Sequence, residues 1–191
     1  MADRALASEV LTEREIRSRV AELGEAIADD YEGRDPLFLV MLYGSVPFGA
    51  DLVRSMPIGA EVDFLLLNRY GKGGRIGVTL DSSTPLLDRD VVIVEDIIDT
   101  GLTLTVLRRM IMDRGAASVA TAALLDKTRR RLTEVPIEYR GFEVGDEFLV
   151  GYGLDWQGLY RNLRSIWAVL DMEALVADRR ALAVELGHVR D

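Results

Sequence analysis

The 191-residue chain contains no cysteine, which excludes a disulfide framework, a thiolate metal site and a cysteine nucleophile. No apolar run approaches the roughly 20 residues needed to span a bilayer. The opening residues, MADRALASEVLTERE, lack the apolar stretch of a signal peptide. Positive charge is scarce as well: 23 Lys and Arg against 32 Asp and Glu leave a net charge of −9 and a pI near 4.7. A phosphate backbone demands a basic face, so nucleic acid is not an expected partner. There is no internal repeat, no low-complexity stretch and no clear linker. These absences lead to the expectation of a soluble, cytoplasmic protein that binds neither nucleic acid nor membrane.

The chain has 49% hydrophobic residues, ample for one domain that buries on the order of 70% of its unfolded surface. Thr12-x-x-Glu15 reads as a capping box, with Ile16, Val20, Leu23 and Ile27 along one helical face. LFLVML (Leu37–Leu42) is a continuous apolar run of the kind found in a central parallel strand. Pro47 to Met56 reads as a helix with proline in its first turn, and EVDFLLL (Glu61–Leu67) as a second strand. SVATAALL (Ser118–Leu125), EFLVG (Glu147–Gly151) and SIWAVL (Ser165–Leu170) complete the strands. Strands alternating with helices predict an α/β fold with a parallel sheet covered on both faces.

The most informative segment is VVIVEDIIDTGLTLT, Val91 to Thr105. An apolar strand runs into the adjacent carboxylates Glu95 and Asp96, then Asp99, then a turn of small hydroxylated residues, Thr100, Gly101 and Thr103. Helical spacing follows, with Leu104, Leu107, Ile111 and Met112 on one side and Gly115 as the stop. A strand end that feeds a helix is where open α/β sheets bind ligands. The turn can direct backbone N–H groups, hydroxyls and a helix dipole at one phosphate. The acidic pair can accept hydrogen bonds from neighbouring hydroxyls or hold a hard cation through water. Phosphate plus vicinal diol describes a phosphorylated sugar.

This run resembles the phosphoribosyl pyrophosphate signature of the type I phosphoribosyltransferases, and EDIIDTG in particular resembles their hypoxanthine-guanine branch. The resemblance covers roughly residues 12 to 170 and includes LLDK (Leu124–Lys127), GFEVGDEFLVGYGLD (Gly141–Asp155) and YRNL (Tyr160–Leu163). It implies a central, mostly parallel sheet flanked by helices, with a small hood built from the chain ends. The implied layout is one domain over residues 1–170, with a core of about 35–145 and a hood from the N-terminal helix and about 146–170. Residues 171–191 would be a helical tail that covers a neighbouring subunit or frays.

The resemblance also implies roles, position by position. Ile98 to Thr103, including Leu102, would cradle the 5-phosphate, and Glu95 and Asp96 would face the ribose hydroxyls and Mg2+. Asp99 resembles the residue that takes the proton from purine N7. Lys127 resembles the lysine that reads the exocyclic oxygen of a 6-oxopurine, Phe148 the aromatic that stacks on the base, and Leu149 its neighbour. Asp155 resembles a carboxylate near a second Mg2+, and Arg161 the arginine that contacts pyrophosphate. Tyr43 and Gly44 fall in the pyrophosphate loop, Arg69 and Tyr70 in the mobile loop. The implied reaction is Mg2+-dependent transfer of a phosphoribosyl group to hypoxanthine or guanine, yielding IMP or GMP, by a homodimer or homotetramer.

Several positions depart from the family pattern. Tyr43 stands where a lysine is usual, Arg69 precedes Tyr70 in place of serine, and Arg164 follows YRNL in place of proline. The glycine-rich stretch RYGKGGRIG (Arg69–Gly77) is neither a Walker A loop nor a dinucleotide fingerprint. By position it resembles the family's mobile loop, with an ordinary flexible connection as the alternative, and the segment from Tyr70 to Arg89 is shorter than the family's usual one. These departures keep a second reading open, a catalytically weak protein that binds phosphoribosyl pyrophosphate or a nucleotide as a regulator. Arg129, Arg130 and Arg131 form the most basic cluster, which reads as a solvated loop.

Overall fold

The computed structural model describes residues 5–70 and 75–186. The chain divides into two compact units, the larger made of residues 18–146 and the smaller of residues up to 17 together with those from 147 onward.

The larger unit carries a six-stranded sheet. Its strands are β2 (Leu37–Met41), β3 (Glu61–Tyr70), β4 (Arg75–Leu80), β5 (Asp90–Ile98), β6 (Ser118–Asp126) and β7 (Tyr139–Glu143). They lie in the order β4-β3-β2-β5-β6-β7, and every pair is parallel except β3 with β4. β2 is buried at every position and β5 from Val91 to Val94, as a strand sandwiched between helices requires. Helix α3 (Leu102–Asp113) supplies Leu104, Leu107 and Ile111 to a core that also holds Leu37, Leu39, Val91 and Ile93. Helix α2 (Val46–Ser55) buries Phe48 and Leu52. Gly49 lets it approach β2, since a Cβ there would stand 2.9 Å from Val40.

Helix α1 (Glu13–Asp30) starts on the capping box: Thr12 N–H donates to Glu15 Oε2 at 2.9 Å and Glu15 N–H to Thr12 Oγ1 at 3.2 Å. Ile16, Val20, Leu23 and Ile27 are all buried. Most of α1 belongs to the larger unit, because the division falls after Arg17.

The smaller unit has its own antiparallel sheet, β1-β9-β8, formed by Ala7–Leu11, Ile166–Val169 and Phe148–Val150. EFLVG and SIWAVL therefore do not extend the parallel sheet. They pair with each other, and SIWAVL pairs on its other side with a strand at Ala7–Leu11 whose exposed positions hide it from a hydrophobicity reading. Two short helices follow, α4 (Met172–Ala177) and α5 (Ala181–Glu185). Leu175 and Leu182 are buried in a cluster with Ala7, Val150, Tyr160, Leu163 and Val169.

The expected lid loop is part strand. β3 runs to Tyr70 and β4 resumes at Arg75, with Arg69 paired to Ile76. Residues 71–74, and the side chains of Arg69 and Tyr70, lie outside the described residues.

Candidate active site

The acidic pair does not mark the end of its strand. β5 continues through Glu95 and Asp96 to Ile98, held by β6 as far as the Ile98–Asp126 register pair. The chain then turns through Asp99 and Thr100 into α3. Gly101 sits at the helix start with φ +80, and a Cβ there would stand 2.7 Å from Thr133 Oγ1. Both the left-handed conformation and the lack of space call for glycine. A helical bond runs from Thr105 N–H to the Gly101 carbonyl at 2.9 Å, closing the first turn of α3 on Gly101.

Glu95, Ile97, Ile98, Asp99, Thr100, Gly101, Thr103 and Leu104 line one recess of about 130 Å3. Two of the expected phosphate and ribose residues lie off its lining. Leu102 is 45% exposed, and Asp96 is met by the 42–45 loop. A Cβ on Gly44 would stand 1.6 Å from Asp96 Oδ2, so no other residue fits there without moving the carboxylate. The Leu42–Tyr43 peptide is cis, and the Tyr43 side chain is well exposed. Ser45, almost fully buried, donates its hydroxyl to Glu95 Oε2 at 3.1 Å and accepts Asp96 N–H at 2.9 Å. Burial pushes the Glu95 carboxyl well above the usual range, and the neighbouring Asp96 charge adds to that; the Ser45 bond opposes it without prevailing.

The arginine cluster is only in part a solvated loop, for Arg129 and Arg130 are exposed while Arg131 is partly buried. A 3-10 turn at Thr128–Arg130 leads into a segment pinned along the phosphate turn. Lys127 N–H donates to the Ile98 carbonyl and Leu132 N–H to the Thr100 carbonyl, both at 2.9 Å. Thr133 and Thr105 hydroxyls meet at 3.1 Å. Arg130 Nε lies 2.8 Å from Asp99 Oδ1, an ion contact without hydrogen-bond alignment. Arg131 donates to Asp126 Oδ1 at 2.9 Å, and Arg140 to Oδ2 at 3.2 Å. Asp126 is 2% exposed, and both its oxygens are matched by an arginine. Ser45, Asp126, Arg130 and Arg131 were not on the list read from the sequence. The one signal was three successive arginines, in an acidic chain, next to Lys127.

Lys127 is itself 7% exposed, its Nζ 3.4 Å from the Asp146 carbonyl. The remaining expected residues belong to the smaller unit. Phe148 is 38% exposed and meets Trp156 edge-on, with ring centroids 5.5 Å apart at 87°. Leu149 is buried behind it. Asp155 accepts Gly158 N–H on Oδ2 at 2.7 Å and pairs through Oδ1 with Arg161 Nη2 at 2.6 Å. Arg161 Nη1 also donates to the Gly153 carbonyl at 2.5 Å.

Residues 7–157 match the Phosphoribosyl transferase domain family. The hypoxanthine-guanine phosphoribosyltransferase of Lactococcus lactis subsp. lactis (strain IL1403) is 42% identical over 165 residues, covering 84% of this chain and 90% of that protein. The hypoxanthine phosphoribosyltransferase of Escherichia coli (strain K12) is 41% identical over 167 residues, covering 84% and 94%. Among solved structures, a hypoxanthine-guanine phosphoribosyltransferase from Bacillus anthracis superposes with a TM-score of 0.83 at 35% identity, covering 85% of this chain and 98% of that one. With the strand, phosphate turn and helix in place, the chain belongs to the phosphoribosyltransferase family and, within it, to the hypoxanthine-guanine phosphoribosyltransferases.

Proposed function

We propose that this chain transfers the phosphoribosyl group of 5-phosphoribosyl 1-pyrophosphate to N9 of hypoxanthine or guanine, giving IMP or GMP and pyrophosphate in purine salvage. The observation that carries the reading is one recess lined by Glu95, Asp99, Thr100, Gly101 and Thr103, in a chain about two-fifths identical to enzymes of that name over most of its length.

In this reading the N–H groups and hydroxyls from Thr100 to Thr103 hold the 5-phosphate, and Glu95 and Asp96 receive the ribose hydroxyls. Asp99 accepts the N7 proton as the purine attacks C1 of the ribose. Lys127, which can only donate, favours an exocyclic oxygen over the amino group of adenine. Phe148 stacks on the base, Leu149 supports it, and Arg161 stabilises the leaving pyrophosphate as a forked donor. Catalysis is then mostly positioning and charge stabilisation.

Mg2+ belongs to the same proposal. No group of three or more metal-ligating side chains gathers among the described residues. A magnesium ion held by one or two carboxylates plus substrate oxygens and water would need no all-protein cage. Glu95 and Asp96 would hold it, with Asp155 beside a second ion, and its role is to neutralise charge on the pyrophosphate. Asp155 already holds Arg161, which supports a role in setting that arginine. Homo-oligomerisation is supported by apolar side chains left open on β3 and β4, with Val62, Phe64, Val78 and Leu80 each 37–46% exposed. No helix among the described residues is long and apolar enough to cross a membrane, and we place the enzyme in the cytoplasm.

The test is nucleotide formation from phosphoribosyl pyrophosphate and Mg2+ with hypoxanthine, guanine, xanthine and adenine in turn. Turnover with 6-oxopurines and not with adenine is the expected result. Turnover with adenine alone would overturn the role of Lys127, and none with any base would overturn the transferase.

A further inference from the structure

We propose that the segment after Leu170 is a working part of the pyrophosphate end of the site, because it holds Tyr160 and thereby the backbone that carries Arg161. This rests on the reading of Arg161 as the pyrophosphate-binding arginine.

Arg161 is held from two directions. Its guanidinium is committed to the Gly153 carbonyl and the Asp155 carboxylate. Its backbone carbonyl accepts Gly153 N–H at 3.0 Å, and Tyr152 N–H donates to the Leu163 carbonyl at 2.9 Å. The residue before it, Tyr160, has φ +74. A bulky side chain rarely adopts that conformation, which persists only where the surroundings impose it.

What imposes it comes from the chain's last helices. The Tyr160 hydroxyl donates to the Arg179 carbonyl at 2.6 Å, and the residue is 5% exposed. Leu175 and Leu182, at 1% and 0% exposure, belong to the apolar cluster that surrounds it. The segment is itself tied down at both ends. Leu170 N–H donates to the Leu6 carbonyl at 2.8 Å, and the Glu185 carboxylate accepts Leu6 N–H at 3.0 Å. Asp171 caps α4 through the N–H of Ala174 at 2.9 Å. The segment thus closes on the start of β1 and presents one backbone carbonyl to Tyr160. All of it lies beyond the residues matched to the family.

Tyr160 is a positioning residue in this account, and the segment is its support. A purely structural segment, when weakened, lowers melting temperature and the amount of active protein but leaves substrate affinity alone. A positioning segment changes the affinity of the pyrophosphate end.

Three variants separate the cases, each assayed for KM of phosphoribosyl pyrophosphate, inhibition by pyrophosphate, KM of hypoxanthine, and melting temperature. Tyr160→Phe keeps the ring and removes the donor. A chain ended at Asp178 removes the acceptor with Leu182. Arg161→Gln is the reference for the site itself. We expect Tyr160→Phe to weaken pyrophosphate inhibition and raise KM for phosphoribosyl pyrophosphate about fivefold, the loss typical of one hydrogen bond, with the KM of hypoxanthine unmoved. The shortened chain should show at least as large a change; if it does not fold, Tyr160→Phe decides. Unchanged pyrophosphate inhibition in Tyr160→Phe, with Arg161→Gln impaired, overturns the positioning role and leaves the site intact. Unchanged inhibition in Arg161→Gln overturns the site assignment and this inference with it.

Discussion

Asp99 and Phe148 put the proposed chemistry on single side chains. Asp99 lies in the recess with its carboxylate half exposed and one oxygen beside Arg130. Asp99→Asn keeps the shape and loses the proton acceptor, so turnover should fall by about 10² or more while phosphoribosyl pyrophosphate still binds. Pre-steady-state turnover alongside direct binding measures both; unchanged turnover removes Asp99 from the role. Phe148 meets Trp156 at a near right angle and remains partly open. Phe148→Ala should weaken nucleotide binding by ~1–3 kcal/mol, the cost of one stacked aromatic, read by calorimetric titration of GMP. At this scale the sequence was informative where a motif named the residue. It placed Asp126 only within the LLDK run and Arg131 only in a basic cluster, and did not single out Ser45; the bonds of Ser45 to Glu95 and of Arg140 to Asp126 join residues 50 and 14 positions apart, which only folding brings close.

Two ties between elements decide how rigid the site's frame is. Asp126 ends β6 beside Lys127 and holds Arg131 and Arg140 at once. Asp126→Ala leaves a partly buried Arg131 without its anion, and breaking a buried pair costs at most about 3–5 kcal/mol. The midpoint of urea denaturation should drop accordingly, and a shift under 1 kcal/mol would show that the arginines find other partners. Asp63 ties β3 to the 82–84 loop. Burial alone would raise its carboxyl, but the N–H groups of Thr84 and Phe64 and the Ser82 hydroxyl outweigh it and hold it well below the usual range. A depressed folded value means that the stabilisation is fully present above the ordinary 3.8 and is lost as pH falls through the folded value. Asp63→Ala should therefore melt below the parent at pH 7, with the gap narrowing as pH drops beneath about 4. A constant gap would assign the effect to something other than the charge. The alternating apolar code found the helices and central strands, yet it missed β1, β4 and β7. These lie at sheet edges or in the small sheet, where one face is wet and the pattern dissolves.

For the whole molecule, a net charge of −9 must meet a polyanionic substrate. At low salt the overall field repels phosphoribosyl pyrophosphate, and the screening length shrinks from about 30 Å at 0.01 M to about 8 Å at 0.15 M. The kcat/KM for this substrate, at saturating Mg2+, should rise about two- to threefold across that range. A fall would mean that local cations such as Arg130, Arg131 and Lys127 dominate the approach.

Local order along the chain was enough to establish the family, the parallel core and the glycine turn between strand and helix, because a buried strand, a glycine turn and a helix start each leave a contiguous signature. The tertiary structure alone decided the rest. It assigned the final strands to a second, antiparallel sheet, turned the arginine run into a support for the phosphate turn, and packed α4 and α5 against Tyr160. Strand order, ion-pair choice and packing partners depend on which distant residues meet, and no window of adjacent residues carries that information.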